Sequence, residues 1–204
     1  MPKNMPNRHS PHMVSSDDQA ERLAEYAGLV RLWAPRLDLV APGDLPRFEE
    51  RHIADSLRAV PVVDSLPPGP AADVGSGAGL PGVPLAIASQ PRHWRLLEPR
   101  PRKAAFLEEC VRVLELFDCE VLTLTAEEAA RSTGLRRGHV CAWARALANP
   151  AEAFRLLLPL VRGDGIAGIF ASADAPLPAE AESVSRGLAI MRPMEEGRSR
   201  SGPV

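Results

Sequence analysis

Residues 73–88 read DVGSGAGLPGVPLAIA, and the fold turns on how this stretch is understood. Glycines at 75, 77, 79 and 82 crowd the short span between an apolar approach and an apolar continuation. Glycine lacks a Cβ and reaches positive φ without strain, so such a cluster marks backbone that turns sharply or lies against a ligand. Between a strand and a helix, it lets backbone N–H groups face whatever is bound. Two ligand classes use that geometry. Gly77-x-Gly79-x-x-Gly82 formally satisfies the dinucleotide pattern G-x-G-x-x-G. The strand, however, ends earlier, at Asp73-Val74-Gly75, and Pro81 and Pro84 stand where helix N–H groups would have to hold a pyrophosphate. The alternative is Asp73-x-Gly75-x-Gly77-x-Gly79, an acid at the strand end followed by alternate glycines. An acid there suits a cationic ligand and would repel a pyrophosphate. S-adenosylmethionine carries a sulfonium and an ammonium and no phosphate, so it is the better match.

Outward from the loop the pattern alternates. A buried strand at 71–74 precedes it and a helix runs on to about Ser89. HWRLLEP (93–99) reads as a second strand, RKAAFLEECVRVLELF (102–117) as a helix, and CEVLTLT (119–125) as a third strand. AEEAARS begins a short helix, HVCAWARA (139–146) is a fourth strand, and NPAEAFRLLLPLV (149–161) is a helix with Asn149 as N-cap and Pro150 at N1. GIAGIFAS (165–172) is a fifth strand. This alternation predicts a parallel, doubly wound α/β sheet. Before it stand two amphipathic helices, from Asp17 to Pro35 and over 48–60, the second stopped by Pro61. The domain expectation is a polar leader over 1–16 and one domain over 17–204. That domain divides into a helical extension (17–66), a Rossmann-like core (70–172) and an irregular part (173–204) with one further strand candidate at 187–191. Glu98 ends the second strand, about where a carboxylate accepting ribose hydroxyls is expected.

The bulk numbers set bounds. A chain of 204 residues, 45% apolar and 25% charged, is long enough to bury a core. Its formal charge of −2 lacks the global basicity of many nucleic-acid binders, so an RNA partner must be met by a local patch. Three cysteines, Cys110, Cys119 and Cys141, have no metal-ligand spacing and suit a reducing compartment. The opening MPKNMPNRHSPHMVSS has no apolar core of a signal peptide, which points to the cytoplasm.

RHIADSL (51–57), the glycine stretch, LLEPRPRKAAFLEE (96–109), AEE (126–128) and ARA (144–146) fall in an order and spacing that resembles the RsmG/GidB methyltransferases. The resemblance runs from about residue 20 to about 165. It implies a Rossmann-like class I methyltransferase that methylates N7 of a guanine in 16S ribosomal RNA with S-adenosylmethionine. It implies donor contacts from the loop glycines Gly75, Gly77 and Gly79 and from the Leu80 backbone. It also implies ribose contacts from Glu98, adenine contacts from Ala126 and Glu127, and Arg145 lining the pocket towards the substrate. GLPG is how this family turns from loop into helix, which accounts for Pro81. Three departures lie on the substrate side. Thr125 stands where the family usually has Arg, FASADA lacks the usual Lys-Gly pair, and the sequence ends at Val204 where members usually run on into a final strand.

Other residues divide between roles. His52 and Asp55 lie at i and i+3 on one helix face, beside the donor pocket or as a packing pair. Arg92, Arg95, Arg100, Arg102, Lys103, Arg136 and Arg137 fall in loops and helix starts, as phosphate neutralisation or an ordinary charged surface would have them; Arg102 and Lys103 are the substrate candidates. There is no nucleophile triad and no catalytic residue is assigned, which fits guanine N7, whose lone pair needs no base. Three other readings remain open: a relative that methylates a small molecule, a non-catalytic protein that binds S-adenosylmethionine, and a dinucleotide oxidoreductase.

Overall fold

The computed structural model describes residues 15–194. The leader expected over 1–16 lies outside them except at its end, where Ser15 and Ser16 belong to a helix. Ser15 caps α1 (Ser16–Trp33): its hydroxyl accepts the Asp18 N–H at 3.1 Å while the Asp18 carboxylate accepts the Ser15 N–H at 3.3 Å. The second expected helix is broken up. A wide turn over Glu49–Ile53 leads into α2 (Ala54–Leu57), and a fresh helix, α3 (Val60–Asp64), follows. Pro61 does not stop a helix but sits in the first turn of α3, where a missing N–H costs nothing.

Five parallel strands form the sheet: β1 (Ala71–Val74), β2 (Trp94–Leu97), β3 (Cys119–Leu122), β4 (His139–Arg145) and β5 (Val161–Phe170). Between them run α4 (Gly82–Ala88), α5 (Pro101–Val113), α6 (Ala126–Arg131) and α7 (Pro150–Leu157). The part expected to be irregular contributes an unexpected strand, β6 (Glu182–Ser185), which pairs antiparallel with β7 (Leu188–Met191), the strand expected at 187–191, itself antiparallel to β5. β7 adds LAIM, buried throughout, beside β5. β6 is exposed along its length at the edge, so its sequence carries no apolar alternation to read. The order β3-β2-β1-β4-β5-β7-β6 reverses direction between β1 and β4, and ligands of such sheets bind at that crevice, off the carboxyl ends of the strands.

Burial on both faces explains the near-continuous apolar strands. Ala72, Val74, Ala142, Ala144, Ala167 and Ile169 pack with Phe154 and Leu157 of α7. Ala71, Trp94, Cys141, Trp143 and Ile166 pack with Val63 of α3 and Leu85 of α4. On that second side α1 lies against α4 and α5. Its Tyr26 packs edge-on against Phe48 with ring centres 5.7 Å apart, and Trp33 approaches Phe106 at 6.0 Å.

The helical extension therefore also reaches the glycine loop. The Tyr26 hydroxyl, fully buried, donates to the Ala78 carbonyl at 2.7 Å. Tyr26→Phe strands that carbonyl in the interior and is expected to cost about 1–3 kcal/mol in urea unfolding. An unchanged midpoint would show that the hydroxyl does not brace the loop.

Candidate functional site

The loop after β1 is built from left-handed turns. Gly75, Gly77 and Gly79 take φ of 70°, 55° and 94°, which bulky residues reach only with strain. Gly82 has a different reason to lack a side chain, since a Cβ there would lie 2.6 Å from Asp73 and from Leu96. The loop N–H groups point inward. Gly75 and Ser76 donate to the Leu97 carbonyl at 2.8 and 3.0 Å, Gly77 to Glu98 Oε2 at 2.9 Å, and Gly79 and Leu80 to the Ser76 carbonyl at 2.6 and 3.1 Å. A pyrophosphate needs such groups free. Gly75 and Gly77 are half-buried, while Gly79 and Leu80 are buried in the core beneath α1 and α5.

Asp73 corrects one expectation. Its carboxyl does not face the loop's outer side, where it could meet a cation, but is fully buried beneath it. Oδ2 accepts the Gly82 N–H at 3.0 Å and so holds the start of α4, while Oδ1 has no hydrogen-bond partner. Burial pushes this carboxyl up to about 7, opposed by the Gly82 N–H and the Ser76 hydroxyl and aided by the charge of Glu98.

Glu98 lies where the sequence puts it, one residue beyond β2 and 2% exposed. Oε2 accepts the Gly77 N–H and Oε1 the Arg100 N–H at 3.0 Å, with the Arg100 guanidinium at 3.6 Å. Each oxygen keeps a further lone pair. Ala126 and Glu127 form the first turn of α6, the former buried and the latter exposed. Thr125 is that helix's N-cap: its hydroxyl accepts the Glu128 N–H at 3.2 Å, and the Glu128 carboxylate accepts the Thr125 N–H at 2.8 Å. The residue that departs from the family pattern is thus a helix cap.

Beyond β4 lies a cavity of about 810 Å³, within the range of small-ligand pockets. Arg145, Asn149, Phe170, Ser172 and the 175–178 segment line it, and Asp55 reaches it from α2. Arg145 Nη1 donates to Asp55 Oδ2 at 2.6 Å, and its guanidinium lies 5.6 Å from the centre of the Phe170 ring. His52 goes elsewhere: Nε2 meets Asp44 at 3.2 Å and its ring lies tilted against Phe48, with ring centres 5.4 Å apart. The i, i+3 pair is split, with only Asp55 at the cavity. Arg102 and Lys103 open α5 and donate to the Arg36 and Asp38 carbonyls, fastening the segment after α1.

The rRNA small subunit methyltransferase G family, GidB, matches residues 19–174. The chain belongs to this family. A ribosomal RNA small subunit methyltransferase G from Thermobifida fusca is 36% identical over 191 residues, covering 89% of this chain and 76% of that one. Its counterpart from Roseiflexus sp. is 39% identical over 148 residues, covering 72% and 62%. Another, from Granulibacter bethesdensis, is 45% identical over 100 residues, covering 49% and 46%. The chain spans about half to three-fifths of the length of several of these curated relatives. A solved methyltransferase structure from Geobacter sulfurreducens superposes with a TM-score of 0.58 at 11% identity, over 85% of this chain and 89% of that one, and so shares the fold.

Family motifs did not point to Tyr26, Leu147 or Phe170. Leu147 lies over Gly75, with its Cδ1 2.7 Å from where a Cβ would stand. Tyr26 left a signal in the sequence only as one of the positions at helical spacing in α1, and Phe170 as an aromatic near the carboxyl end of a strand.

The buried Asp73 gives a signed pH dependence. Its ordinary value is 3.8, so between about pH 4 and 7 the folded chain holds a proton that the unfolded chain has lost. The stabilisation from this group is complete at acid pH and is lost as pH rises through that window. Asp73→Asn keeps an acceptor for Gly82 and should match wild type near pH 4. By pH 7.5 it should be the more stable, by on the order of a few kcal/mol. Urea unfolding at stepped pH measures this, and carboxylates shifted the other way, such as Glu120 and Glu128, cancel between the variants. A difference that stays flat with pH would contradict the assignment.

Proposed function

We propose that this chain transfers a methyl group from S-adenosylmethionine to N7 of a guanine in 16S ribosomal RNA, acting in the cytoplasm on the small ribosomal subunit or its RNA. The observation that carries the reading is the glycine loop whose N–H groups turn inward beside the buried Glu98 carboxylate. That combination fits a nucleoside with ribose hydroxyls and no phosphate. The bound donor supplies an electrophilic methyl group on a sulfonium. Glu98 accepts the ribose hydroxyls with its remaining lone pairs. Gly75 and Gly77 let the donor approach the backbone, with Gly79 and Leu80 holding the loop's shape from beneath. Ala126 and Glu127 flank the adenine at the end of β3, and Arg145 stands towards the substrate. Guanine N7 has a free lone pair, so the chain's task is to align nucleophile and methyl group, and no side chain removes a proton.

The relatives' shared name supports ribosomal RNA as substrate. Arg100, Arg102 and Lys103, at the start of α5 beside Glu98, supply cations on the same edge. A small-molecule substrate is the second reading. It is favoured by a cavity whose charged lining, among the described residues, is confined to Asp55 and Arg145.

Three measurements follow. Cells lacking the gene should lose one 7-methylguanosine from 16S ribosomal RNA, by mass spectrometry of the digested RNA; an unchanged content would refute the substrate. Glu98→Gln should weaken S-adenosylmethionine binding by about 1–3 kcal/mol in calorimetry, and an unchanged affinity would remove Glu98 from the site. RNA affinity should fall with salt, each phosphate contact adding about −0.7 to −0.9 to the log–log slope, whereas a flat response favours the small molecule.

A further inference from the structure

The cavity lies one strand over from the glycine loop. β1 and β4 are paired with Asp73 opposite Trp143, so the chain leaving β4 runs beside the loop leaving β1. Leu147 turns to Gly75, while Arg145, Ala146 and Ala148 face the cavity. Ala146, at that fork, holds φ at 52°, a left-handed conformation that a residue with a Cβ adopts at a cost.

Asp55 and Arg145 form a half-buried pair, their side chains 27% and 20% exposed, so solvent screens them less than it would an open pair. Asp55 is fixed from its other oxygen by Arg58, which also donates to Ser185 Oγ and to the Arg186 carbonyl in the turn between β6 and β7. Burial, and next the charge of Arg145, hold the His52 imidazole below its ordinary value against the pull of Asp44.

This inference rests on methyl transfer to guanine N7. We infer that Asp55 is a positioning residue: it pins Arg145 over Phe170 and, although Arg58 shares its far oxygen, offsets part of the charge that Arg145 presents in the cavity to a base that becomes cationic. In the transfer the N7 lone pair forms the new N–C bond, the S–C bond breaks and its electron pair stays on sulfur. No proton leaves, so the positive charge passes from the sulfonium to the imidazole ring of the guanine. An uncompensated guanidinium beside that ring opposes the step, and more strongly in a site that excludes water.

The test is methyl transfer to unmodified 30S subunits, read as kcat and KM. It compares wild type, Asp55→Asn, Asp55→Glu, Arg145→Gln and the double variant Asp55→Asn with Arg145→Gln. S-adenosylmethionine affinity is measured by calorimetry on each. Asp55→Asn should lower kcat and kcat/KM together, by roughly 10- to 100-fold, with donor affinity within about twofold of wild type. Asp55→Glu should recover most of kcat, and it carries the test if the Asn variant fails to fold. Because Asp55 acts through Arg145, the double variant should be no slower than Arg145→Gln alone. A wild-type kcat in Asp55→Asn, a raised KM with kcat intact, an additive loss in the double variant, or donor affinity lost with kcat would each overturn the inference. A wild type that binds the donor and leaves the subunits unmethylated overturns the proposed reaction, and this inference with it.

Discussion

The carboxyl edge of the sheet depends on where the N–H groups of the glycine loop go. Leu97, Glu98 and Ser76 receive them, so the loop is tied to the end of β2 and folded on itself. Two buried side chains complete the brace, with Tyr26 holding the Ala78 carbonyl from α1 and Asp73 holding the Gly82 N–H from below. A loop tied in this way has spent most of the N–H groups that would clamp a phosphate, and it fixes the carboxyl group of Glu98. The ligand class follows from that arrangement of hydrogen bonds more than from the glycine count.

The same constraint explains why the helical extension packs against the loop. Tyr26 and Phe48 lie outside the strand–helix repeat, yet they seal the face of the sheet under the loop. Asp73 is held there at an electrostatic cost, with a carboxyl driven up to about 7 by its burial. The reversal of strand order between β1 and β4 then separates two regions of the carboxyl edge. The loop, Glu98 and α6 lie on the β1–β3 side, and the cavity with Arg145, Asp55 and Phe170 lies beyond β4.

Much of this was legible in the sequence because buried parallel strands and amphipathic helices leave strong periodicities. β1 was read to the residue, and Glu98 was placed by its position at a strand end. The exposed β6 was missed because an edge strand with no buried face has no alternation to show. Pro61 reads as a helix stop because a proline in the first turn of a helix and one after a helix look the same without the next turn. Asp73 was assigned to the ligand because its charge was visible and its burial was not. The pairing of Asp55 with Arg145, 90 residues apart in the chain, is a product of topology alone.

If the loop cradles a nucleoside methyl donor, it should bind S-adenosylmethionine in preference to a dinucleotide. Calorimetry of the purified chain against S-adenosylmethionine and against NAD tests it most directly. One S-adenosylmethionine should bind per chain, with no measurable heat from NAD under the same conditions. NAD bound more tightly than S-adenosylmethionine would contradict it.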